Sequence, residues 1–268
     1  MQWMEQRADE RGNIGKYYPE AQSVISLGLN YFTGNTSPDP DVGKISNYAW
    51  GDDYHDLIKS RLYNLLSEIK YKYPKINGIS CVDTSPIMEK DWAQRAGLGW
   101  IGKHTNLITC DYGSWIFLGE LLLDVELKYD TPFDDDLCGT CTACLDACPT
   151  DAFPEPYVLD SNKCISYLTI EHRGDLPTEL EDKLSSWIYG CDICQEVCPW
   201  NIKFSQNSQE EAFQPRENLQ ERSIPQWGKL TEQDFRILFK KSAVKRTKYL
   251  GLKRNIELLE KNSSKNPN

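Results

Sequence analysis

The chain has 268 residues, of which 40% are hydrophobic, 11% aromatic and 26% charged, and its formal net charge is −10. These are ordinary globular values, so the composition excludes collagen, long coiled coils and intrinsic disorder. The negative charge argues against a protein that coats nucleic acid through bulk electrostatics, although it allows a local basic patch. No apolar run approaches the length of a membrane span and no secretory signal is evident, so we expect a cytoplasmic protein without membrane contact.

The first half of the chain alternates between predicted strands and helices. Short apolar runs beside turn-forming residues predict buried strands, and apolar residues three and four positions apart predict amphipathic helices. Such alternation indicates an α/β or α+β fold. The predicted elements are strands over residues 23–31 and 78–82, helices over residues 54–69 and 87–97, and one or two strands within residues 115–127.

The composition changes at residues 130–136, and eight of the ten cysteines follow within residues 138–200. In this part Thr178 and Glu181 have the spacing of a capping box and predict a short helix that ends near Ile188. A polar stretch then precedes two predicted helices, over residues 231–240 and 246–260. We therefore divide the chain into three predicted domains, over residues 1–129, 130–205 and 206–268.

The first cysteine run has the spacing C-x2-C-x2-C-x3-C-P, which is that of bacterial ferredoxins. Its members are Cys138, Cys141, Cys144 and Cys148. In that pattern three closely spaced thiolates bind one [4Fe-4S] cluster and the fourth binds a neighbouring cluster. Because cytoplasmic thiols stay reduced, clustered cysteines there are more often metal ligands than disulfides.

A second run repeats this pattern with one cysteine fewer, and Cys164 is available as the substitute. The crossed arrangement then predicts two [4Fe-4S] clusters with four ligands each. One predicted set is Cys138, Cys141, Cys144 and Cys198, and the other is Cys148, Cys164, Cys191 and Cys194. The alternative is a pair of structural zinc ions, which four thiolates also suit.

The rest of the sequence contains neither a G-x-G-x-x-G after a strand nor a P-loop, so it does not support a nicotinamide or nucleotide-hydrolysis site. Asp53-Tyr-His55 is close to the D-x-H-x-x-G of corrinoid proteins that ligate cobalt through histidine, but Ile58 replaces the glycine. We therefore interpret His55 as a helix surface residue. We interpret Cys81 and Cys110, which lie outside the two runs, as small buried residues in strands.

Several blocks of this sequence together resemble the epoxyqueuosine reductase family, and the match covers nearly the whole chain. The blocks are residues 81–86, 94–105, 138–149, 164–174 and 190–199. The resemblance implies an α+β fold with a nitroreductase-like cobalamin-binding α/β domain, a bacterial ferredoxin-like two-cluster domain and a short α-helical carboxyl-terminal segment. It also implies an oxidoreductase that uses cob(I)alamin and two [4Fe-4S] clusters to reduce epoxyqueuosine in the tRNA wobble position to queuosine.

Asp83 matches the proton donor of that family. Against an apolar corrin face we expect its pKa to rise, because desolvation penalises the carboxylate. Without the resemblance, Asp83 would be interpreted as an aspartate that opens a turn before proline. The residues that align with cobalamin contacts of the family are Arg11, Ser46, Asp83, His104, Leu107, Ser166 and Tyr167.

A basic stretch near the carboxyl terminus is the expected tRNA surface. Residues 236–254 hold eight basic side chains and no acidic one. Such segregation of charge within an acidic chain favours contact with phosphates over a merely solvated helix face. The predicted tRNA contacts in this stretch are Lys245, Arg246 and Arg254, and the resemblance implies Lys90 and Arg173 as two more.

The resemblance further implies a monomer that binds the anticodon stem-loop and takes electrons from a ferredoxin or flavodoxin. Family members have a further amino-terminal segment, and we expect this chain to lack it. Two rival functions stay open from the sequence. One is a reductive dehalogenase, which also combines a corrinoid with two clusters, and the other is an electron carrier that binds clusters but no corrinoid.

Overall fold

The computed structural model describes residues 5–265. Its strands are β1 (Ser23–Asn30), β2 (Lys44–Ile45), β3 (Gly78–Cys81), β4 (Trp100–Ile101), β5 (Leu107–Ile108), β6 (Ile116–Leu123) and β7 (Trp187–Tyr189). The α-helices are α1 (Ala8–Gly12), α2 (Ile14–Tyr17), α3 (Tyr54–Lys72), α4 (Glu89–Arg95), α5 (Ala143–Asp146), α6 (Ile165–Ile170), α7 (Ile193–Glu196), α8 (Pro199–Phe204), α9 (Ile224–Gly228), α10 (Glu232–Leu238) and α11 (Lys248–Lys265). Over this described range no helix combines the length and apolar character needed to cross a membrane.

A three-stranded antiparallel sheet of order β1-β6-β3 carries the amino-terminal half. Its central strand β6 is almost entirely apolar, as expected for a strand covered on both faces. On one face Phe117 and Leu121 of β6 pack against Ile58 and Leu62 of α3. Gly119 faces the same helix, and a Cβ there would lie 2.8 Å from the Ile58 side chain, so only glycine lets α3 come this close.

The other face of the sheet is covered by the amino-terminal helices. Cys81, Ile87 and Leu122 form a small core there, against which Ile14 and Tyr17 pack. Glu120 belongs to the same register row, because it pairs with Cys81 on β3 and with Ser26 on β1. The sheet therefore carries a buried carboxyl group directly behind the end of β3.

The largest hydrophobic core joins segments of all three predicted domains. It contains Ile45 and Trp50 from the first, Trp187 from the second, and Trp227 and Leu252 from the third. The parallel pairing of β2 with β7 fastens the first segment to the second. The predicted domain boundaries stay a prediction, but the side chains that stabilise the cysteine-rich part come from both sides of it.

Most predicted elements of the first half are confirmed. The strands over residues 23–31 and 78–82 and the helix over residues 54–69 correspond to β1, β3 and α3, and residues 115–127 hold the single strand β6. The next helix begins at Glu89, slightly later than predicted, and it stops before Gly97, whose φ of 80° ends it. The two carboxyl-terminal helices correspond to α10 and α11.

The predicted helix that ends near Ile188 is wrong. Residues Thr178–Lys183 form a 3-10 turn without a side-chain cap, and Trp187–Tyr189 is the strand β7. All three residues of β7 are buried in the largest core. Large aromatic and β-branched side chains covered on both faces favour a strand, and this tertiary packing outweighs the local capping pattern.

Asn255 ties α11 to the cysteine-rich part and gives a test of the shared core. Its side chain is 0% exposed, and Nδ2 donates to the carbonyls of Thr169 (2.9 Å) and Ile188 (2.8 Å). We expect Asn255→Leu to lower the free energy of unfolding by about 1–3 kcal/mol, because the buried carbonyl of Ile188 loses this donor and that of Thr169 keeps only the Thr247 hydroxyl. Urea unfolding followed by tryptophan fluorescence measures this.

The control for this test is Glu257→Gln, which changes an exposed residue of the same helix that pairs only with Lys253 at 3.6 Å. We expect its stability to stay within about 0.5 kcal/mol of the wild type. If Asn255→Leu behaves like this control, the two carbonyl contacts do not stabilise the core.

Candidate active site and cluster sites

Asp83 lies in a short loop that leaves β3. Its φ of 40° is in the left-handed region, which is uncommon for a residue other than glycine. Two side chains hold the loop in this shape: Glu89 accepts the backbone N–H of Asp83, and Arg11 Nη1 donates to the carbonyl of Ser85 at 3.3 Å. The side chain of Asp83 is 51% exposed, so its carboxyl group is available to a ligand.

The carboxyl group of Asp83 ends a hydrogen-bonded chain that starts at Asp53. Asp53 caps α3, and its Oδ1 accepts the backbone N–H of His55 and lies 2.7 Å from His55 Nδ1. His55 Nε2 lies 3.0 Å from Asp83 Oδ2. The imidazole therefore bridges two carboxylates, and the interpretation of His55 as a mere helix surface residue is wrong.

The pKa of Asp83 is lowered, not raised as the sequence led us to expect. Burial by the protein raises the pKa, but the hydrogen bond and the charge of His55 outweigh it. Burial alone would lower the pKa of His55, yet its hydrogen bonds to Asp53 and Asp83 raise it to about 9. At neutral pH the site therefore holds a charged imidazolium between two carboxylates.

Two further carboxyl groups lie behind the Asp83 loop. Burial raises the pKa of Glu89 to about 7, although the hydrogen bond from the Asp83 backbone opposes that rise. Burial also raises the pKa of Glu120 to about 9, and the neighbouring Glu89 adds to that effect. Glu120 is therefore neutral at neutral pH, and it accepts a hydrogen bond from Ser26 at 3.3 Å.

The first predicted cluster set lines one cavity. Cys138, Cys141, Cys144 and Cys198 surround a space of about 150 Å³ together with His104. Cys198 reaches it because it precedes Pro199, the first residue of α8, and has an extended backbone. The ammonium of Lys103 fixes the first cysteine run, since it donates to the carbonyls of Gly139 (2.6 Å) and Cys141 (2.9 Å).

The second predicted set also converges. The thiol of Cys194 interacts electrostatically with those of Cys148 and Cys164, and Cys191 interacts with Cys164 and Cys194. Beside this group, Asp192 is buried and accepts the backbone N–H of Asn47 at 2.7 Å and the hydroxyl of Ser46. The loop with the second cysteine run is thereby fastened to the segment after β2.

Burial shapes the chemistry of these thiols. It raises the pKa of Cys144 to about 11, and it raises that of Cys194 further above the ordinary value. Both thiols are therefore protonated at neutral pH, and binding of iron must displace the protons. Of the two cysteines outside the runs, Cys81 is buried in β3 as predicted, whereas Cys110 is exposed in a turn, so the prediction for Cys110 is wrong.

The predicted cobalamin contacts fall into two groups. Four of them present atoms at the surface or are half-buried, namely Arg11, Asp83, Ser166 and Tyr167. The other three, Ser46, His104 and Leu107, are buried. Ser46 donates its hydroxyl to Asp192, and His104 lines the first cysteine cavity, so both side chains face the cysteine-rich part.

The predicted tRNA contacts also differ from one another. Arg254 donates to the carbonyls of Leu168, His172 and Gly174, and Arg173 donates to those of Ile170, His172 and Arg246. Lys90 donates to the carbonyl of Thr105 at 2.8 Å. Lys245 is exposed and interacts electrostatically with Asp53, whereas Arg246 pairs with Glu171 and interacts with Asp83. Lys245, Arg246 and Lys90 therefore all lie near the chain Asp53–His55–Asp83, since Lys90 also interacts electrostatically with Asp83.

Four residues of these sites were not predicted: His55, Glu89, Lys103 and Asp192. The Asp53-Tyr-His55 pattern contained a usable indication, because Asp53 is a helix cap that orients the histidine two positions later. Asp192 lies between the predicted ligands Cys191 and Cys194, and this position also indicated a role at the site. Lys103 acts through carbonyls more than 30 positions later, and Glu89 acts through the backbone of a loop six positions earlier. No residue pattern reveals either contact.

The charge on His55 predicts a specific dependence of stability on pH. A histidine whose folded pKa of about 9 exceeds its ordinary 6.5 stabilises the fold fully below pH 6.5, and this stabilisation is lost as the pH rises through 9. The difference corresponds to at most about 3 kcal/mol, and we expect about 2 kcal/mol because the side chain keeps some contact with water.

Urea unfolding at a series of pH values measures this dependence, and the matched variant is His55→Gln. Glutamine keeps a hydrogen-bonding amide but cannot titrate, so the variant should lose less stability than the wild type over that pH range. Equal losses in the two proteins would show that His55 is not held as an imidazolium.

Two family models match the chain. One, described as "4Fe-4S double cluster binding domain", matches residues 137–201. The other, described as "Epoxyqueuosine reductase QueG, DUF1730", matches residues 11–84. The first contains all eight cysteines of the two sets, and the second ends just after Asp83.

Curated relatives and solved structures agree with these matches. The epoxyqueuosine reductase of Cellulophaga algicola is 48% identical over 260 residues, which cover 97% of this chain and 84% of the relative. That of Synechocystis sp. is 48% identical over 259 residues, covering 96% and 89%.

The fold also matches solved structures. A crystal structure of epoxyqueuosine reductase with an epoxyqueuosine-modified tRNA-Tyr stem loop has a TM-score of 0.85 at 30% identity, and the match covers 92% of this chain and 66% of that longer one. The Bacillus subtilis epoxyqueuosine reductase, in a structure whose catalytic aspartate loop is swung out of the active site, has a TM-score of 0.87 at 28% identity and coverages of 95% and 68%. By sequence and by fold, the chain belongs to the epoxyqueuosine reductase family.

Proposed function

We propose that this protein reduces the epoxide of epoxyqueuosine in the wobble position of tRNA to the alkene of queuosine. The observation that carries the proposal is the chain Asp53–His55–Asp83, whose outer carboxyl group is exposed and lies near the basic side chains of Lys245 and Arg246. The relative solved with a modified tRNA stem loop supports the same substrate. We place this activity in the cytoplasm and in a monomer.

The reaction needs two electrons and two protons, and the epoxide oxygen leaves as water. Cobalamin, when bound, supplies cob(I)alamin as the two-electron reductant. Two clusters held by the eight cysteines of the two sets would supply single electrons taken from an external donor of the ferredoxin or flavodoxin type. The protein itself must position the substrate and deliver a proton to the departing oxygen.

Asp83 and His55 together supply that proton. In the resting state the proton is held on His55 Nε2, 3.0 Å from Asp83 Oδ2, because the pKa of Asp83 is lowered and that of His55 is raised. As negative charge develops on the epoxide oxygen, the Asp83 carboxylate can take the proton from His55 Nε2 and pass a proton outward to that oxygen, which leaves the imidazole neutral. Asp53 keeps the imidazole oriented throughout.

The cobalamin contacts that fit this role are the accessible ones. Asp83 is half exposed, and Arg11 reaches the same loop through the carbonyl of Ser85. Ser166 and Tyr167 lie in the first turn of α6, immediately after Cys164. These four side chains would hold cobalamin between the Asp83 loop and the second cysteine set.

The ligand sets for the clusters are those predicted from the sequence. In support, the cysteines of the first set line one cavity and those of the second interact with one another. Within residues 5–265 no group of three or more His, Cys, Asp or Glu side chains is close enough to hold a single metal ion. The assignment rests instead on the double-cluster family match and on the crossing of the two runs.

The tRNA surface is centred on Lys245 and Arg246. Both residues belong to the turn before α11. The backbone N–H of Asp53 donates to the nearby carbonyl of Lys241 at 2.7 Å, so this turn lies beside the chain Asp53–His55–Asp83. Arg173 and Arg254 are bound to backbone carbonyls and act mainly on the fold. A flipped wobble nucleotide, which is cheap to unstack in an anticodon loop, would then reach Asp83.

Asp83→Asn tests the proton delivery. We expect turnover of tRNA carrying epoxyqueuosine, with a strong reductant, to fall about 100-fold or more, because the amide cannot pass a proton. Iron, sulfide and cobalamin contents should stay at the wild-type level. Mass spectrometry of the nucleosides measures the product.

The matched control is Asp91→Asn, which neutralises an exposed aspartate on α4 whose partner is Arg95. Its turnover should equal that of the wild type. Equal turnover in both variants would remove Asp83 from the mechanism. If the visible bands of added cobalamin do not change with the wild type, the protein is an electron carrier.

Lys245→Ala tests the tRNA surface. We expect weaker binding of the anticodon stem-loop, and a slope of log affinity against log salt that is smaller by about 1, because one phosphate contact is lost. Binding measured at several salt concentrations gives both quantities. Lys75→Ala, an exposed lysine after α3, is the control, and a change of the same size in this control would contradict the assigned surface.

A further inference from the structure

His104 has an unusual environment for a polar side chain. It is 3% exposed, and its Nδ1 accepts the backbone N–H of Asn106 at 3.2 Å. Because Nδ1 acts as an acceptor, the proton of the neutral ring is on Nε2. Among the described residues no protein atom accepts a hydrogen bond from His104 Nε2.

A buried N–H without an acceptor costs free energy, so its surroundings need an explanation. His104 lines the cavity of about 150 Å³ whose other walls include Cys138, Cys141, Cys144 and Cys198. The neighbouring ammonium of Lys103 is already bound to the carbonyls of Gly139 and Cys141. The cavity therefore combines four thiol groups with one imidazole N–H that lacks an acceptor.

A second unused donor lies in the hydrophobic cluster next to this cavity. Trp100 is buried, its Nε1 also lacks a protein acceptor among the described residues, and it belongs to the hydrophobic cluster that contains Cys198. Protein atoms near the cavity thus leave donors unused, and the occupant of the cavity must supply the acceptors. The sulfur atoms of an iron–sulfur cluster are such acceptors.

We propose that the Nε2–H of His104 donates a hydrogen bond to a sulfur atom of the cluster held by Cys138, Cys141, Cys144 and Cys198, and that it raises the reduction potential of this cluster. The inference rests on the cluster assignment of the proposed function. It gives His104 a role toward the cluster in place of the cobalamin contact expected from the sequence.

The direction of the effect follows from charge. Reduction adds one electron to the cluster, and a hydrogen bond to sulfur stabilises the more negative, reduced form. The effect is strong in a cavity from which water is excluded, because the local dielectric constant is low. His104 therefore acts as a tuning residue that makes this cluster easier to reduce.

The other cluster site provides an internal reference. Near it, Cys148 accepts the backbone N–H of Ala152 at 3.4 Å and contacts the hydroxyl of Thr150 at 3.5 Å. His104 does not contribute to that group. A change at His104 should therefore shift the potential of one cluster and leave that of the other unchanged.

The experiment is an anaerobic redox titration of the reconstituted full chain, followed by electron paramagnetic resonance, without tRNA or cobalamin. In His104→Leu, at the potential where half of the first cluster is reduced in the wild type, we expect the ratio of reduced to oxidised cluster to fall about tenfold, which is 59 mV for one electron. His104→Gln keeps an N–H donor at similar reach and should restore most of the potential.

Two other results overturn the inference. One is that His104→Leu binds the full amount of iron and both clusters keep their wild-type reduction potentials. The other is that the potentials of both clusters shift by the same amount, which would indicate a general change in packing around the clusters. If His104→Leu does not bind iron, the same question is tested on the wild type labelled with 15N-histidine. The proposal requires a hyperfine coupling between a histidine nitrogen and a reduced cluster, and its absence contradicts the proposal. Absence of iron and sulfide from the wild type would instead contradict the cluster assignment itself.

Discussion

The crossing of the two cysteine runs is the constraint on which the rest of the structure depends. Cys198 of the second run lines one cavity with Cys138, Cys141 and Cys144 of the first, so the two runs lie side by side although about 50 residues separate them in the sequence. Cys164 and Cys198 each stand directly before a short helix and keep an extended backbone there. The residues between the runs, together with Ile45, Trp50 and α11, then fill the space around them as one core.

Several carboxyl groups lie close together around the hydrogen-bonded chain Asp53–His55–Asp83, and each is stabilised in a different way. The charged His55 balances Asp53 and Asp83, whereas burial keeps Glu120 neutral. Asp192 is stabilised differently, by hydrogen bonds from Ser46 and Asn47. Among these carboxyl groups, that of Asp83 is both exposed and hydrogen-bonded to the charged His55. It also lies beside the basic turn before α11. Glu89 holds the Asp83 loop, and Asp192 fastens the second cysteine run to the segment after β2.

The sequence was most informative where chemistry depends on local spacing. The cysteine runs, the strand that leads into Asp83 and the amphipathic helix α3 follow from patterns within a few residues. Contacts between distant segments were not predictable in the same way. The strand at Trp187 forms because Ile45 and the carboxyl-terminal helices bury it, and the charge state of Asp83 depends on a histidine 28 positions earlier. Likewise, the eight basic residues of 236–254 gave one undivided surface in the sequence, but the fold uses Arg254 to bind carbonyls and leaves Lys245 exposed.

The crossed ligand sets have a consequence for how the protein matures. In the ligand sets proposed above, each set contains a cysteine at or beyond position 191, so neither cluster would be complete while the ribosome is still synthesising the first two thirds of the chain. The β1-β6-β3 sheet, in contrast, ends at Leu123 and has all its strands long before that point. Folding of the amino-terminal half can therefore precede iron insertion, and the assembly machinery must act on a nascent or released chain whose late thiols have only just emerged.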